Sequence, residues 1–358
     1  MAAIDRDTEI DLIKRVTAGP SSFPVRAFLV TALLLILTCA AFATGLREEP
    51  AIVPGVSVPR RAPPIHLPEP VVRIAVLAGD TSGAQIRDGV RTAISEINAR
   101  TVDGGLVVLM REELAGDPAV DLQIGLLEQA MVRGANAILL DPVDREGLTP
   151  YVRNARDAGV AVVTMRNEVG ADGERLADFH VATNVDAATA TVVDELVRYI
   201  GTGRTVALVS GDTRRDENRT RRNGLLRQLR ARHPAIRILD PIPEGVVSEE
   251  AALSVVTGLL AGGADLAAII ATDARSTVGV AQGVSITGRG GEVVVVGFDP
   301  TQVAMDLLRR GALNGILVED PYTIGYLSVF RALDALRGID SQYVVEVPYR
   351  FIGPETAR

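Results

Sequence analysis

The sequence predicts an α/β protein of two lobes, each a parallel sheet covered by helices on both faces. Two phrases carry that reading. Val293-Val294-Val295-Val296-Gly297-Phe298-Asp299-Pro300 runs four β-branched residues together and ends on an acid, and Ala137-Ile138-Leu139-Leu140-Asp141-Pro142-Val143-Asp144 repeats the pattern upstream. An unbroken apolar run of this kind suits a strand buried on both faces, which is the habit of parallel sheets. An Asp-Pro step after it suits a helix start, since Asp accepts first-turn N–H groups and Pro tolerates the first helical position. In such folds ligand-binding groups gather at the carboxyl ends of the strands.

The elements follow in order from Val71. Strands are expected at Val71–Ala78, Leu106–Met110, Ala137–Leu140 and Val160–Thr164. The helix after the first strand puts Ile86, Val90, Ile94 and Ile97 on one face at three- and four-residue spacing. Further helical patterns fall near Asp117–Arg133 and Glu146–Ala158. A second set begins near His180, with strands at Thr205–Ser210, Ile236–Leu239, Ala267–Ala271 and Glu292–Gly297. Helices near 186–200, 216–232, 249–261 and 274–285 separate them. Two successive strand–helix series imply two lobes with a cleft between.

Composition excludes several functions. The formal charge of −8 argues against a nucleic-acid partner, which wants a basic face. Lys14 is the sole lysine, so neither a phosphate-binding lysine loop nor a Schiff base has a candidate beyond the N-terminus. Histidine occurs only at His66, His180 and His233 and cysteine only at Cys39, leaving no metal-ligand spacing and no intrachain disulfide. No cofactor is called for, and a carboxylate-only hydrolase is the one catalytic option left; the chain is expected not to be an enzyme.

Residues 27–46 (AFLVTALLLILTCAAFATGL) carry no charge over a bilayer-spanning length. Three readings fit this run: an uncleaved anchor, a signal peptide cut after Ala41-Phe42-Ala43, and a lipoprotein signal at Cys39. Residues 1–26 form a short polar leader. Residues 47–70 carry a dense set of prolines from Pro50 to Pro70, which suits an extended tether.

From Val72 to Ile352 the chain resembles the type I periplasmic sugar-binding proteins, the group of ribose-binding protein, and the ligand domains of lactose-repressor-like regulators. The phrases that carry this are Gly116-Asp117-Pro118, Met131 through Asp144, Ala158-Gly159-Val160-Ala161-Val162-Val163-Thr164, Val293 through Pro300, and Asp320-Pro321-Tyr322-Thr323-Ile324-Gly325. The resemblance implies two Rossmann-like lobes joined by a three-segment hinge, with crossings near Ala182, Asp320 and Val347. One lobe would then be 71–182 plus 320–346, the other 183–319 plus 347–358.

It also places ligand-facing positions at Asp80, Arg166, Asn167, Arg219, Thr272, Asp299 and Glu319. Asp299 would accept from ligand hydroxyls or simply cap the helix at Pro300. Thr272 would bond a ligand or cap the next helix. Arg166 would contact an anionic group together with Arg219, or neutralise Glu319 or Asp299 across the cleft. Arg214, Arg215, Arg219, Arg221 and Arg222 crowd one stretch, and most of them are expected on solvated surface. His180 is expected to be structural. The aromatic residues that stack on sugar rings in the family are missing, both in Gly79-Asp80-Thr81-Ser82-Gly83 and near Val247.

The function these readings imply is an extracytoplasmic solute-binding protein that captures a small polar ligand, sugar-like or sugar-acid-like, by hinge closure. It would deliver that ligand to an ABC importer, acting as a monomer held at the membrane or secreted through its N-terminal segment. The alternative is a membrane-tethered sensor signalling to a receptor or kinase. A DNA-binding regulator is not expected, since it would need a helix-turn-helix that residues 1–26, ahead of the apolar run, are too few to supply. In the hydrolase reading, Asp299 and Glu319 are the pair to watch.

Overall fold

A computed structural model describes residues 64–357, apart from 80–81, 111–118, 172, 214 and 242. The expected leader and apolar run lie outside the described residues, as do Asp80, Arg214 and the Gly116-Asp117-Pro118 phrase. Among the described residues no helix is long and apolar enough to cross a membrane.

The first sheet holds β1 (Val71–Leu77), β2 (Leu106–Met110), β3 (Ala137–Leu140), β4 (Ala161–Met165), β5 (Phe179–Ala182) and β11 (Val344–Glu346), in the order β11-β5-β4-β3-β1-β2. The second holds β6 (Thr205–Val209), β7 (Arg237–Ile238), β8 (Ala268–Ala271), β9 (Val294–Phe298), β10 (Gly315–Val318) and β12 (Arg350–Ile352), in the order β12-β10-β9-β8-β6-β7. All pairings are parallel except β12 with β10. Every residue of β3, β4, β5 and β8 is buried, as strands covered on both faces must be.

Helices α1 (Gly83–Arg100), α2 (Val120–Val132) and α3 (Arg145–Asp157) belong to the first lobe, and α9 (Pro321–Leu336) returns from the second to join them. Ile86, Val90, Ile94 and Ile97 of α1 pack with Ile324, Val329 and Leu333 of α9 on one face of the sheet. Leu127 of α2 and Leu148 and Val152 of α3 fill the other face. In the second lobe α4 (Val185–Ile200) and α5 (Asp216–Arg232) cover one face. The opposite face is covered by α6 (Glu249–Ala261), α7 (Ala274–Ile286) and α8 (Gln302–Arg309).

The chain passes between sheets three times: from β5 to α4, from β10 to α9 and from β11 to β12. Strand order reverses between β1 and β3 in one sheet and between β6 and β8 in the other. Those switch points are where the loops of an open α/β sheet leave a crevice.

Several local expectations change. The helices after the two Asp-Pro steps are capped not by Asp141 or Asp299 but by Asp144, which accepts from the N–H groups of Glu146 and Gly147, and by Thr301, which accepts from that of Ala304. Asp320 does cap α9, with Pro321 at its first position. Order also begins before Val71: Ile65 donates its N–H to the Arg100 carbonyl at 3.0 Å, and Leu67 packs on the first core. The end of the proline-rich stretch is therefore docked on the lobe rather than extended away from it.

Candidate functional site

The carboxyl ends of both sheets bring acids and arginines together, and the residue at the centre is Arg221. It sits on α5, only 1% exposed, on the buried helix face shared with Asn218, Leu225 and Leu229. Its Nη1 and Nη2 donate to Asp299 Oδ2 and Oδ1 at 2.6 and 2.8 Å, a fork-to-fork pair. Nη1 also donates to the Thr272 carbonyl at 3.0 Å. Nη2 lies 2.6 Å from Glu217 Oε1 and 3.2 Å from Glu319 Oε1. The Phe298 ring completes the cage, 4.8 Å from the guanidinium carbon.

Glu217 and Arg221 meet because α5 spaces them by one turn in the favourable acid-first order. Asp216 and Glu217 in the first turn also face the positive end of the helix dipole.

Arg166 reaches this cluster from the first lobe. Its Nε lies 3.1 Å from Asp141 Oδ2, at the end of β3, and its Nη2 lies 3.3 Å from Glu217 Oε2 across the cleft. The Arg145 backbone N–H adds a second crossing bond, donating to Asp216 Oδ2 at 3.1 Å. Among the described residues Arg166 (φ 58°) and Asp299 (φ 60°) are the non-glycine residues in the left-handed region. That conformation costs on the order of 1–3 kcal/mol and concentrates at functional sites. Both end strands at the cleft.

The charges here are strongly perturbed. Burial drives the Asp299 carboxyl up to about 7 against the pull of Arg221, and Glu217 and Glu319 push the same way. Burial also acts against the Glu217 carboxylate, but Arg166, Arg221 and Arg215 outweigh it and hold Glu217 below its ordinary range. Arg221 stays firmly charged: burial opposes its charge, and Asp299, Glu217 and Glu319 more than offset that.

Thr272 is buried, and its hydroxyl accepts from the Gly211 N–H at 3.1 Å; the helix cap expected of it belongs to Asp273, in a capping box with Ser276. Asn218 of α5 donates through Nδ2 to Asp273 Oδ2 at 3.1 Å and to the Asp212 carbonyl at 3.2 Å, tying the loops that follow β8 and β6. A Cβ at Gly211 would fall 1.9 Å from Asp273 Oδ2, so only glycine allows that approach. His180 is buried, with Nδ1 3.0 Å from the Thr164 hydroxyl, and burial lowers its pKa.

The structure thus gathers Arg166, Thr272, Asp299 and Glu319, with Asn167 beside Arg166. Arg219 stands apart: its side chain is 47% exposed and pairs with Asp216 at the rim. Arg166 does not neutralise Asp299 or Glu319, because Asp141 and Glu217 hold it. Glu217 and Asn218 are residues sequence reasoning passed over, and Arg221 stood there only as one of a crowd of arginines. The signal for Arg221 was its four-residue step to Leu225 and eight-residue step to Leu229.

Two spaces adjoin the network. A slot of about 50 Å³ lies between the lobes, lined by Ser82, Arg166, Asn218, Val247, Asp273 and Asp299 among others. A cavity of about 620 Å³ lies on the hinge side, where Thr183 and Glu319 form part of its wall. Carboxylates and arginines dominate the slot, whose larger apolar side chains are the neighbours Val246, buried, and Val247, 54% exposed. Glu217, Asp299 and Glu319 each offer an oxygen within 4.8 Å of the others, a set that resembles a cation site; Arg221 already supplies the positive charge between them.

Comparison with known proteins adds an independent finding. The model of the periplasmic binding protein domain matches residues 74–340. A D-ribose/D-allose-binding protein of Pseudomonas aeruginosa is 25% identical over 237 residues, covering 64% of this chain and 73% of that protein. A ribose import binding protein of Bacillus subtilis is 25% identical over 233 residues, covering 63% of this chain and 70% of that protein. Among solved structures, an ABC transporter solute-binding protein of Agrobacterium vitis with bound D-fucose superposes with a TM-score of 0.69 at 22% identity, over 80% of this chain and 96% of that one. Identity that low speaks to the fold alone.

Proposed function

The chain belongs to the periplasmic binding protein domain family, and on that premise we propose that it is an extracytoplasmic solute-binding protein, not an enzyme. Its ligand is a small polyhydroxylated molecule gripped between the two lobes, and its partner is the permease of an ABC importer. The observation that carries this reading is the convergence of Asp299, Glu217 and Glu319 on Arg221, with Arg166 reaching in from the other lobe. Carboxylates held in place by a buried guanidinium keep spare lone pairs aimed at the cleft, and sugar hydroxyls are the donors that such lone pairs accept.

The same geometry argues for an uncharged ligand. Arg166 and Arg221 are already neutralised by Asp141, Glu217, Asp299 and Glu319, so a ligand carboxylate or phosphate would meet more negative charge than positive. Relatives named as ribose- or allose-binding proteins support the sugar class. Closure follows from the charge layout: the Arg166–Glu217 pair and the Arg145–Asp216 bond form only when the lobes approach.

A thermal-shift screen of the full chain against pentoses, hexoses, sugar acids and polyols tests the proposal. A ligand at a hundred times its dissociation constant should stabilise the fold by about 2.7 kcal/mol. Silence from every neutral sugar, with a shift from an anion alone, would reverse the assignment of ligand charge. Silence from the whole panel would reject the sugar reading.

A further inference from the structure

The slot between the lobes, at about 50 Å³, has room for a few waters but not for a sugar ring in this closed arrangement. Its walls are also drawn onto one another, by the Arg221–Asp299 fork and the Asn218–Asp273 bond. The hinge-side cavity is different. At about 620 Å³ it lies within the size range of small-molecule sites. It shares Arg166 and Glu217 with the slot, so their ion pair is the partition between the two spaces.

The hinge-side wall holds hydrogen-bonding capacity that the protein does not use. Thr183 is 7% exposed and its hydroxyl has no hydrogen-bond partner. Buried polar groups are nearly always met by a partner, so an orphan of this kind calls for one from outside the chain. His180 lines the same cavity; Thr164 occupies its Nδ1, and its Nε2 makes no hydrogen bond among the described residues. Thr183 lies in the crossing from β5 to α4 and Glu319 in the crossing from β10 to α9, so a molecule seated here touches two of the three connections between lobes.

We infer that the hinge-side cavity is the second half of the ligand site, and that the ligand is longer than one sugar ring: a disaccharide or a comparable glycoside. One unit meets the carboxylates around Arg221, and the second lies in the cavity against Thr183 and His180. Arginines and acids alternate around the wall, which suits a neutral polyol better than a charged group: Arg145, Arg219 and Arg227 stand among Glu146, Glu168 and Asp216. This inference rests on the sugar-binding reading above and adds the size of the ligand to it.

The test uses titration calorimetry on the full chain, with D-glucose and D-galactose as one-ring probes and maltose, cellobiose, lactose and melibiose as two-ring probes. At least one disaccharide should bind tenfold or more tightly than either monosaccharide. Asn223→Trp, on the exposed side of α5 where it lines the cavity, should erase that advantage while leaving monosaccharide affinity unchanged. Thr183→Val, equal in shape and lacking the hydroxyl, should weaken the disaccharide severalfold without altering the melting midpoint by more than a few degrees. Disaccharides that bind no better than monosaccharides would overturn the inference and leave the sugar reading standing. So would a disaccharide unaffected by both variants. Failure of every probe, of either size, would remove the sugar reading and this inference with it.

Discussion

Arg221→Met is the most informative single change, because the side chain it removes is buried and four groups lean on it. Methionine keeps the length and apolar stem of arginine but carries no charge. It would leave Asp299, Glu217 and Glu319 with oxygens within 4.8 Å of one another, offset by Arg166 and Arg215 acting on Glu217 alone. Removing one partner of a buried ion pair costs about 3–5 kcal/mol, since the remaining charge is stranded. For lobes of this size each kcal/mol moves the midpoint by about 2–4 °C, so a fall of roughly 6–20 °C in the second lobe's transition is expected. Arg222→Met is the control. Arg222 pairs with Glu244 near the surface, where ion pairs contribute about 0–1 kcal/mol.

The loss should also depend on pH in a direction that identifies its cause. Burial already raises the Asp299 carboxyl, and without the guanidinium that opposes this its folded-state pKa lies further above the unfolded one. The folded state then binds more protons than the unfolded state, and stability rises as pH falls. Arg221→Met should thus recover part of its deficit between pH 8 and pH 5, as read by urea melts at several pH values. Equal deficits for the Arg221 and Arg222 variants would refute the central role given to Arg221. A deficit that does not shrink with acid would show that packing, and not stranded charge, is what the arginine supplies.

Other outcomes follow from the same network. Asp299→Ala should weaken whichever sugar the screen finds by about tenfold to a hundredfold, the loss expected for a hydrogen bond to a charged group, with the lobes still folded by circular dichroism. Burial raises the Asp299 carboxyl to about 7, above its unfolded value near 3.9. It should therefore penalise folding above pH 7 and release that penalty as pH falls toward 4; Asp299→Asn should flatten this slope, and an unchanged slope would count against the raised value. Arg166→Ala removes the bridge to Glu217 and should shift the unliganded protein toward an open form, seen as a larger radius of gyration in X-ray scattering. Starting the chain at Val71 rather than Pro64 should cost about 1–2 kcal/mol, because Ile65 and Leu67 lose their partly buried contacts with the first core; equal melting of the two truncations would contradict that docking.

The strands and the site differ in how much of them the sequence discloses, and the reason is physical. Period and β-branching are local, so Leu106–Met110, Ala137–Leu140 and the helices 216–232 and 249–261 could be placed almost to the residue. The short closing strands β11 and β12 could not: they take their identity from the sheets they join, not from any run of their own, and β7 keeps only Arg237–Ile238 of the strand expected at Ile236–Leu239. The strand-end acids Asp141 and Asp299 were legible because the fold class itself predicts where ligand groups gather. Their partners were not, because ion pairing between elements leaves no trace in spacing.

Arg221 shows where that limit lies. Five arginines between 214 and 222 share one composition, and a family likeness was too coarse to choose among them. Helical periodicity could have chosen. Counting from Leu225 and Leu229 puts Arg221 on the buried face and Arg219 on the face with Asn223 and Arg227, which is where the structure has them. A charged residue in register with a helix's apolar stripe must find its counter-charges inside the protein, because the cost of burying it alone is prohibitive. The acids able to supply them were already visible at the strand ends. The centre of the site was therefore encoded as a conflict between charge and position, and it is at such conflicts that a sequence departs from what folding alone would choose.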